Sequence, residues 1–492
     1  MASQLNLLHK YTYLNYLFLG LAGAISTLSF SPFNIKPLIV LSYATLIYSV
    51  LSSPSIFTAF KKSIAWGLGY WIAGAGWLIV SIHYYGNTNI IVSLIIILFM
   101  SLLLSLLFVA PTTLLRLFNI KMNFYVKAFI FSCLLTLIEL TRFKLLGGFP
   151  WLLPGLVLMD TIGQNVIPIL GVYGGSFLIY FIASFFYLTY AQKEFKLFSV
   201  GIIFCLIFLP HLSYKDNKFS EGIEVAIIQP SLDPFEKYQA SYKNTIEESL
   251  LKLSRNASNS DLIIWPESPL PYLESSNDMK NFRVLTEGLP PILSGTWVYK
   301  DDKLFNAMGF LGKDRFYMKR HLVIFGEYVP FETFLRGLID FFNMPMSSVN
   351  PGNSNQPLFK LNKSNILGLI CFDIAFPLSF IKEIKGTGFI VNISNDTWFG
   401  DSYGPYQHLQ IVRARALEAN KWVARGTSDG ISAIIDNKGT IVEILPKGIS
   451  GVIKGKIFSI ENHSFFYEIG YLIIPLLSFI VLISTYILRF II

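Results

Sequence analysis

Cys371 closes the stretch "NILGLICFDIAFP", where an apolar run meets a thiol, an aromatic residue and an acid. The other two cysteines, Cys133 and Cys205, lie in long apolar stretches, so the chain has no disulfide framework to read. Taken alone, Cys371 is either a small hydrophobe ending a buried strand or a nucleophile. A thiol nucleophile needs a proton acceptor and a group that holds the negative charge of a tetrahedral intermediate. His321 and His408 are candidate acceptors, but neither has a spacing that argues for pairing with the thiol. A carboxylate can do the same work. Glu267, in "IIWPESP", follows Trp265 and Pro266, whose bulk is expected to desolvate it and favour a general base; the bland alternative is an exposed turn acid. Lys319, in "YMKRHLVIFGEYVP", sits beside His321 and ahead of Glu327, and is either a surface lysine or the cation that holds the charge. From Glu267 to Lys319 is 52 residues, and 52 more lead to Cys371, so only a tertiary fold could assemble them.

The elements that must do so are legible from about Glu221 onward. "IEVAIIQP", "DLIIWPES", "PILSGTWVY", "NILGLICFD" and "GFIVNISND" are short apolar runs with turn signals after them, and helical patterns lie between, notably Tyr238 to Ser254 and Tyr406 to Asn420. The alternation predicts an α/β domain, in which chemistry collects where strands end. Glu267 and Cys371 both sit at such ends.

The rest of the chain reads differently. Of 492 residues, 53% are hydrophobic and 14% charged, against about 25% charged in soluble proteins. Apolar runs long enough to span a bilayer lie near Tyr13 to Phe30, Lys36 to Ser52, Ile64 to Ile82, Ile90 to Pro111, Tyr125 to Leu140, Gln164 to Tyr187 and Leu197 to Leu212, with an eighth from Gly470 to Ile492. Lys10, Lys61, Lys62, Arg116, Lys121, Lys127, Lys193, Lys196 and Arg489 fall on one side of that pattern, and only Lys36, Arg142 and Lys144 on the other. The asymmetry predicts a cytoplasmic N-terminus and a soluble domain on the outer face, the periplasm in a bacterium. It also accounts for much of the net charge of +8; with no arginine-rich tract, no nucleic-acid partner is expected. Within the spans, Glu139 and Arg142 read either as a local ion pair or as a functional site, and the glycines of "GLGYWIAGAGW" as close helix packing. "LLGGFPWLLPG" breaks helix and is expected to fold back at the membrane surface. "FETFLRGLIDFFNMPM", with Phe334, Leu335, Leu338, Ile339, Phe341, Phe342 and Met344, is either a core helix or an arm resting on the membrane interface.

"WPES", "KRHLVIFGEYVP" and "CFDIAFP", followed by "NISNDTWFGDSYGPYQHLQIVRARALEAN", resemble the Glu-Lys-Cys motifs of the nitrilase superfamily. With "GGFPWLLPG" and "IPILGVYGGSF" in the membrane part, the whole chain is similar to that superfamily's membrane-embedded branch, the bacterial apolipoprotein N-acyltransferases. The resemblance implies a polytopic α-helical membrane protein with eight transmembrane helices and an inserted nitrilase-like αββα sandwich. The expected organisation is a seven-helix region over residues 1–218, a periplasmic catalytic domain over 219–461 and a C-terminal transmembrane helix over 462–492. It implies Glu267 as general base, Lys319 as oxyanion stabiliser, Cys371 as nucleophile and Glu327 as a supporting acid. Phe372 and Asp373 stand where the family often has Tyr-Glu, and Tyr238 matches an aromatic used for substrate contact. The implied reaction moves an acyl chain from a phospholipid, through a cysteine thioester, to the α-amine of the diacylglyceryl-cysteine of an apolipoprotein, in the bacterial inner membrane and by a monomer. The alternative is a membrane-anchored nitrilase-type amidase that transfers to water. With no zinc spacing, phosphate loop or dinucleotide fingerprint, no cofactor is expected.

Overall fold

The computed structural model describes residues 2–119, 121–193, 195–211, 222–233, 236–324, 326–328 and 349–488. The chain divides into two compact units. One comprises Met1–Ile79, Asn89–Ser213 and Glu468–Ile492, and the other Val80–Thr88 and Tyr214–Tyr467.

The first unit is helical: α1 (Ala2–Ala24), α2 (Leu38–Leu51), α3 (Ile56–Ala75), α4 (Ile90–Phe108), α5 (Phe124–Leu140), α6 (Ile167–Ala191), α7 (Phe195–Phe204) and a C-terminal helix, Tyr471–Leu488. Four helical stretches among the described residues are long and apolar enough to cross a membrane: Ile90–Phe118, Phe124–Phe143, Ile162–Ala191 and Phe466–Leu488. The expectation of eight spans is met only for these. Tyr13–Ser29, Leu38–Leu51 and Ser199–Phe208 are apolar but shorter, and α3 carries Lys61, Lys62 and several glycines that dilute its apolar character. Those glycines serve close packing, as the sequence suggested. A Cβ on Gly69 would lie 1.8 Å from the Gly20 carbonyl oxygen, so α1 and α3 touch backbone to backbone.

"LLGGFPWLLPG" breaks helix as the sequence suggested, with Leu146 and Leu152 at φ of 54° and 53°, and its residues from Trp151 to Gly155 are buried. Glu139 and Arg142 are both buried, but their hydrogen bonds go elsewhere: the Tyr180 hydroxyl donates to Glu139 at 2.6 Å, and Arg142 donates to the Trp151 and Leu152 carbonyls at 3.4 Å.

The second unit holds two six-stranded sheets among the described residues. β1 (Ile223–Gln229), β2 (Leu262–Ile264) and β3 (Ile292–Lys300) run parallel; β4 (Lys303–Phe310) and β5 (Phe316–Met318) continue antiparallel, and β12 (Gly451–Ile457) flanks β1. The second sheet repeats this plan. β7 (Ser364–Ile370), β8 (Phe389–Ser394) and β9 (Val423–Thr427) are parallel, β10 (Ser432–Ile435) and β11 (Ile441–Leu445) continue antiparallel, and β6 (Phe359–Leu361) flanks β7. All five apolar runs read from the sequence are parallel strands here.

Period-2 alternation divides each strand between two layers. Ala226, Ile228, Ile263 and Ile292 face α8 (Lys243–Arg255) and α9 (Asn277–Val284), where Ile246, Leu250, Met279 and Phe282 complete a buried cluster. Ile227 and Ile264 face Gly426 of β9 on the second sheet. Helix α10 (Gly404–Ala419) packs behind the turn that follows β7. Each such apolar side chain, once fully buried, contributes roughly 1.5–3 kcal/mol. The result is an α-β-β-α sandwich whose two halves share one topology. The apolar segment holding Phe334, Leu335, Leu338, Ile339, Phe341, Phe342 and Met344 lies outside the described residues.

Candidate active site

The side chains singled out by chemistry stand where strands end. Glu267 follows β2, Lys319 follows β5 and Cys371 follows β7. Glu267 sits in a sharp turn, with Ser268 at φ 41°, and that turn lies against β3 at Gly295. A Cβ on Gly295 would come within 2.3 Å of the Ser268 nitrogen and 2.8 Å of the Glu267 Cα, so only glycine admits this approach.

Lys319 Nζ donates to Glu267 Oε1 at 3.1 Å and to Glu327 Oε1 at 2.8 Å, with all three side chains nearly buried. Asn306, inside β4, bridges the same two oxygens: its Nδ2 donates to Glu267 at 2.6 Å and to Glu327 at 3.0 Å. The backbone N–H of Asn395 donates to Glu267 Oε2 at 2.9 Å, and that of Val323 to Glu327 Oε2 at 2.8 Å. What surrounds the Glu267 carboxylate is therefore a set of donors, not the apolar bulk expected from Trp265. That indole instead packs into the core against Phe282 and donates to Ser254 at 2.9 Å.

Two carboxylates thus share one ammonium. Burial works against the Lys319 charge, but Glu267 and then Glu327 outweigh it and hold the ammonium well above its ordinary range. Burial, with the like charge of Glu267, pushes the Glu327 carboxyl up despite Lys319.

Cys371 is buried and has φ 48°, the left-handed region that a side chain adopts only at a cost of roughly 1–2 kcal/mol. Burial pushes its thiol well up, Glu267 and Asp396 add to this, and Lys319 and the Ser394 hydroxyl oppose it. Asp373 is buried, and its carboxylate is taken up by protein donors. It accepts from the backbone N–H groups of Arg320 at 3.2 Å and His321 at 2.7 Å, and from the Tyr317 hydroxyl at 3.0 Å. It therefore ties the turn after the thiol to the segment carrying Lys319.

The sequence model described as apolipoprotein N-acyltransferase N-terminal domain matches residues 22–185, and that described as carbon-nitrogen hydrolase matches residues 224–459. The apolipoprotein N-acyltransferase of Haemophilus influenzae is 32% identical, covering 97% of this chain and 96% of its own length. That of Pasteurella multocida is 31% identical over 92% of this chain and 91% of its own, and that of Pseudomonas syringae pv. tomato 30% identical over 89% of each. The chain belongs to the apolipoprotein N-acyltransferase family. It is a membrane protein with a helical region and a nitrilase-like domain.

Against the Tyr-Glu that the sequence reading expected of apolipoprotein N-acyltransferases, the Phe372-Asp373 pair has a definite setting. Phe372 packs edge-on to Phe376, and Phe376 stacks on the His321 ring at 3.8 Å. His321 Nδ1 lies 3.1 Å from Asp373, so this imidazole serves that acid and not the thiol. Tyr238 is about half exposed; its neighbour Lys237 is buried, lies 5.3 Å over the Tyr238 ring and donates to the Ser268 carbonyl beside Glu267. Burial pulls the Lys237 ammonium down to about 8, against the pull of Glu267.

His408, the second candidate imidazole, lies behind Cys371. Its Nδ1 is 3.0 Å from Asp396 Oδ1 and 3.1 Å from Arg425 Nη2, and its Nε2 is 3.3 Å from the Cys371 carbonyl. Burial and Arg425 push the imidazole down, against the pull of Asp396. For Asp396, burial opposes ionisation, but Arg425 and His408 outweigh it and hold the carboxyl well below its usual range. Cys371, Asp396 and His408 place a sulfur, an oxygen and a nitrogen within 4.8 Å of one another, a set that could hold a metal ion. Arg425 already occupies the cationic position there, donating to Asp396 Oδ2 at 2.5 Å, so a metal ion would meet its charge.

Asn306, Asn395, Asp396 and Arg425 were not read from the sequence as site residues. A lone Asn within the apolar strand "LFNAMGF" and a lone Arg within "VARGT" were the available signals.

Proposed function

We propose that this chain transfers an acyl group from a phospholipid to the α-amine of the N-terminal diacylglyceryl-cysteine of an apolipoprotein. The observation that carries the reading is the buried lysine bonded to two glutamates, beside a thiol held in a left-handed turn. As the Cys371 sulfur attacks the ester carbonyl, Glu267 takes the thiol proton. Lys319 and the backbone N–H of Phe372 hold the resulting oxyanion. Collapse breaks the ester C–O bond, Glu267 returns the proton to the departing lysophospholipid oxygen, and a thioester remains on Cys371. The lipoprotein amine then attacks that carbonyl and gives its proton to Glu267. The C–S bond breaks, and the thiol is restored by the same proton.

Glu327 and Asn306 act as positioning residues, holding Lys319 and Glu267 in register. Asp373 holds the turn after the nucleophile, and Tyr238 contacts substrate at the rim. All these groups come from one chain, in keeping with a monomer. The lysine and arginine asymmetry supports an inner-membrane protein whose catalytic domain, residues 219–461, faces the periplasm between the helices of 1–218 and 462–492. Acyl chains that cannot cheaply leave a bilayer give a catalytic domain reason to be tied to membrane spans.

The test is reconstitution of the full chain in phospholipid vesicles with a synthetic diacylglyceryl-cysteine peptide. The expected product is the peptide with one added N-acyl group, formed only when Cys371 is present. Release of free fatty acid with no change in peptide mass would favour the amidase-type hydrolase instead.

A further inference from the structure

The imidazole behind the nucleophile has no role in the proton transfers above, although it lies deeper than any group that has one. His408 is 1% exposed, and its Nε2 faces the carbonyl of Cys371, which can only accept; Nε2 therefore carries a proton. That assignment holds whatever Nδ1 does. Arg425 can only donate to Nδ1, and Asp396 has other donors, the Ser394 hydroxyl to Oδ1 at 2.6 Å and Arg425 to Oδ2 at 2.5 Å. Arg425 is itself fixed by Asn392 and by the Ile431 carbonyl.

One helical face makes two such contacts. Arg415 lies seven residues after His408 on α10, two turns along the same side, and its Nε donates to the Ile374 carbonyl at 3.0 Å. The turn Cys371–Ala375 is thus held by its carbonyls, at its first and fourth residues, against one helix. A trans peptide group is planar, with its C=O and N–H directed oppositely. Drawing the Cys371 carbonyl toward α10 therefore turns the Phe372 N–H away from α10.

We propose that His408 is a positioning residue for the oxyanion site: by binding the Cys371 carbonyl, it fixes the Cys371–Phe372 peptide plane with the Phe372 N–H directed at the substrate oxygen. This rests on the acyl-transfer reading above. It explains why a left-handed residue stands at the nucleophile, since a relaxed φ would rotate that plane. His408 supports the charge-holding half of catalysis and leaves deprotonation of the thiol to Glu267.

Two reactions of the same sulfur separate the roles. Alkylation of Cys371 by iodoacetamide forms an S–C bond, expels iodide and passes the thiol proton to Glu267, with no tetrahedral oxyanion. Acylation by a phospholipid needs both thiol deprotonation and the oxyanion site. Both are read as mass added at Cys371 in the full chain in lipid vesicles. For His408→Leu, loss of one aligned donor predicts acylation slower by on the order of 100-fold and alkylation within about threefold of wild type. His408→Gln, whose amide can reach the same carbonyl, should recover at least about a tenth of the wild-type acylation rate, while the shorter His408→Asn should not. If His408→Leu loses its cooperative thermal transition, the Gln and Asn pair decides: equal acylation rates overturn the inference. Parallel loss of alkylation and acylation also overturns it, as does wild-type acylation in His408→Leu. A wild-type chain that alkylates but never gains an acyl mass overturns the acyl-transfer reading itself.

Discussion

Replacing Lys319 with methionine probes the site's charge balance directly. Its Nζ lies 3.1 Å from one glutamate oxygen and 2.8 Å from another, in a setting closed to solvent. With an effective dielectric near 20, each contact carries roughly 5–6 kcal/mol of gross attraction, most of it offset by the desolvation of the three charges. Breaking such a pair by removing one partner costs about 3–5 kcal/mol, a fall in thermal midpoint on the order of 10 °C for a domain of this size. The sign of the second step is the sharper claim. Without the ammonium, Glu267 and Glu327 face each other across Asn306 with nothing to balance them. Removing one charge by Glu327→Gln should then restore stability, and Lys319→Met/Glu327→Gln should be about 1–3 kcal/mol more stable than the sum of the single changes allows. Activity should not recover, because the oxyanion has lost its cation; acylation of Cys371 should stay about 100-fold to 1,000-fold below wild type. Scanning calorimetry of the full chain in detergent measures the first quantity and a quench-and-mass time course the second. Additive losses of stability, or acylation by Lys319→Met within tenfold of wild type, would refute the reasoning.

Three further outcomes follow from the geometry. Asn306→Asp turns a donor shared by two carboxylates into a third carboxyl, so it should acylate more slowly than Asn306→Ala; the reverse order would remove Asn306 from the site's charge balance. Gly295→Ala should push the Glu267 turn off β3 and lower the acylation rate at least about tenfold, with the thermal midpoint lowered by a modest overpacking cost of about 1–3 kcal/mol; an unchanged rate would contradict it. The Asp396 carboxyl is held below its ordinary range, so the stabilisation it contributes is complete above roughly pH 4 and is lost as pH falls from there toward its folded value. Thermal midpoints taken between about pH 5 and pH 3 should accordingly fall more steeply in wild type than in Asp396→Asn, and equal slopes would count against the Arg425 and His408 pairing.

The strands were legible because parallel, doubly covered strands read as unbroken apolar runs, and β1, β2, β3, β7 and β8 each end in a turn signal. β9 escaped because Arg425 interrupts its run, and that interruption is the residue which holds Asp396. Glu267, Lys319 and Cys371 drew notice as polar groups at apolar ends, and their motifs carried the family. Asn306 did not, since its partners come from β2 and from the loop after Lys319, a pairing no local pattern encodes. Nor did the environment of Glu267, where neighbours in sequence suggested apolar shielding and neighbours in space supply donors. The eight spans counted from apolar runs were harder to hold as helices, because length and continuity depend on where a run breaks. The run that starts in α3 gives way after Ala75, and Val80–Thr88 packs in the catalytic unit, where Ser81 donates to the Trp398 carbonyl at 2.7 Å.

The central claim is that Cys371 carries the acyl group between two lipids. Intact-mass measurement of the full chain after incubation with a single defined phospholipid, with no acceptor present, tests it most directly. The account predicts one acyl-sized gain located at Cys371, discharged on adding a diacylglyceryl-cysteine peptide and absent from Cys371→Ala. Peptide N-acylation by Cys371→Ala at the wild-type rate would contradict it.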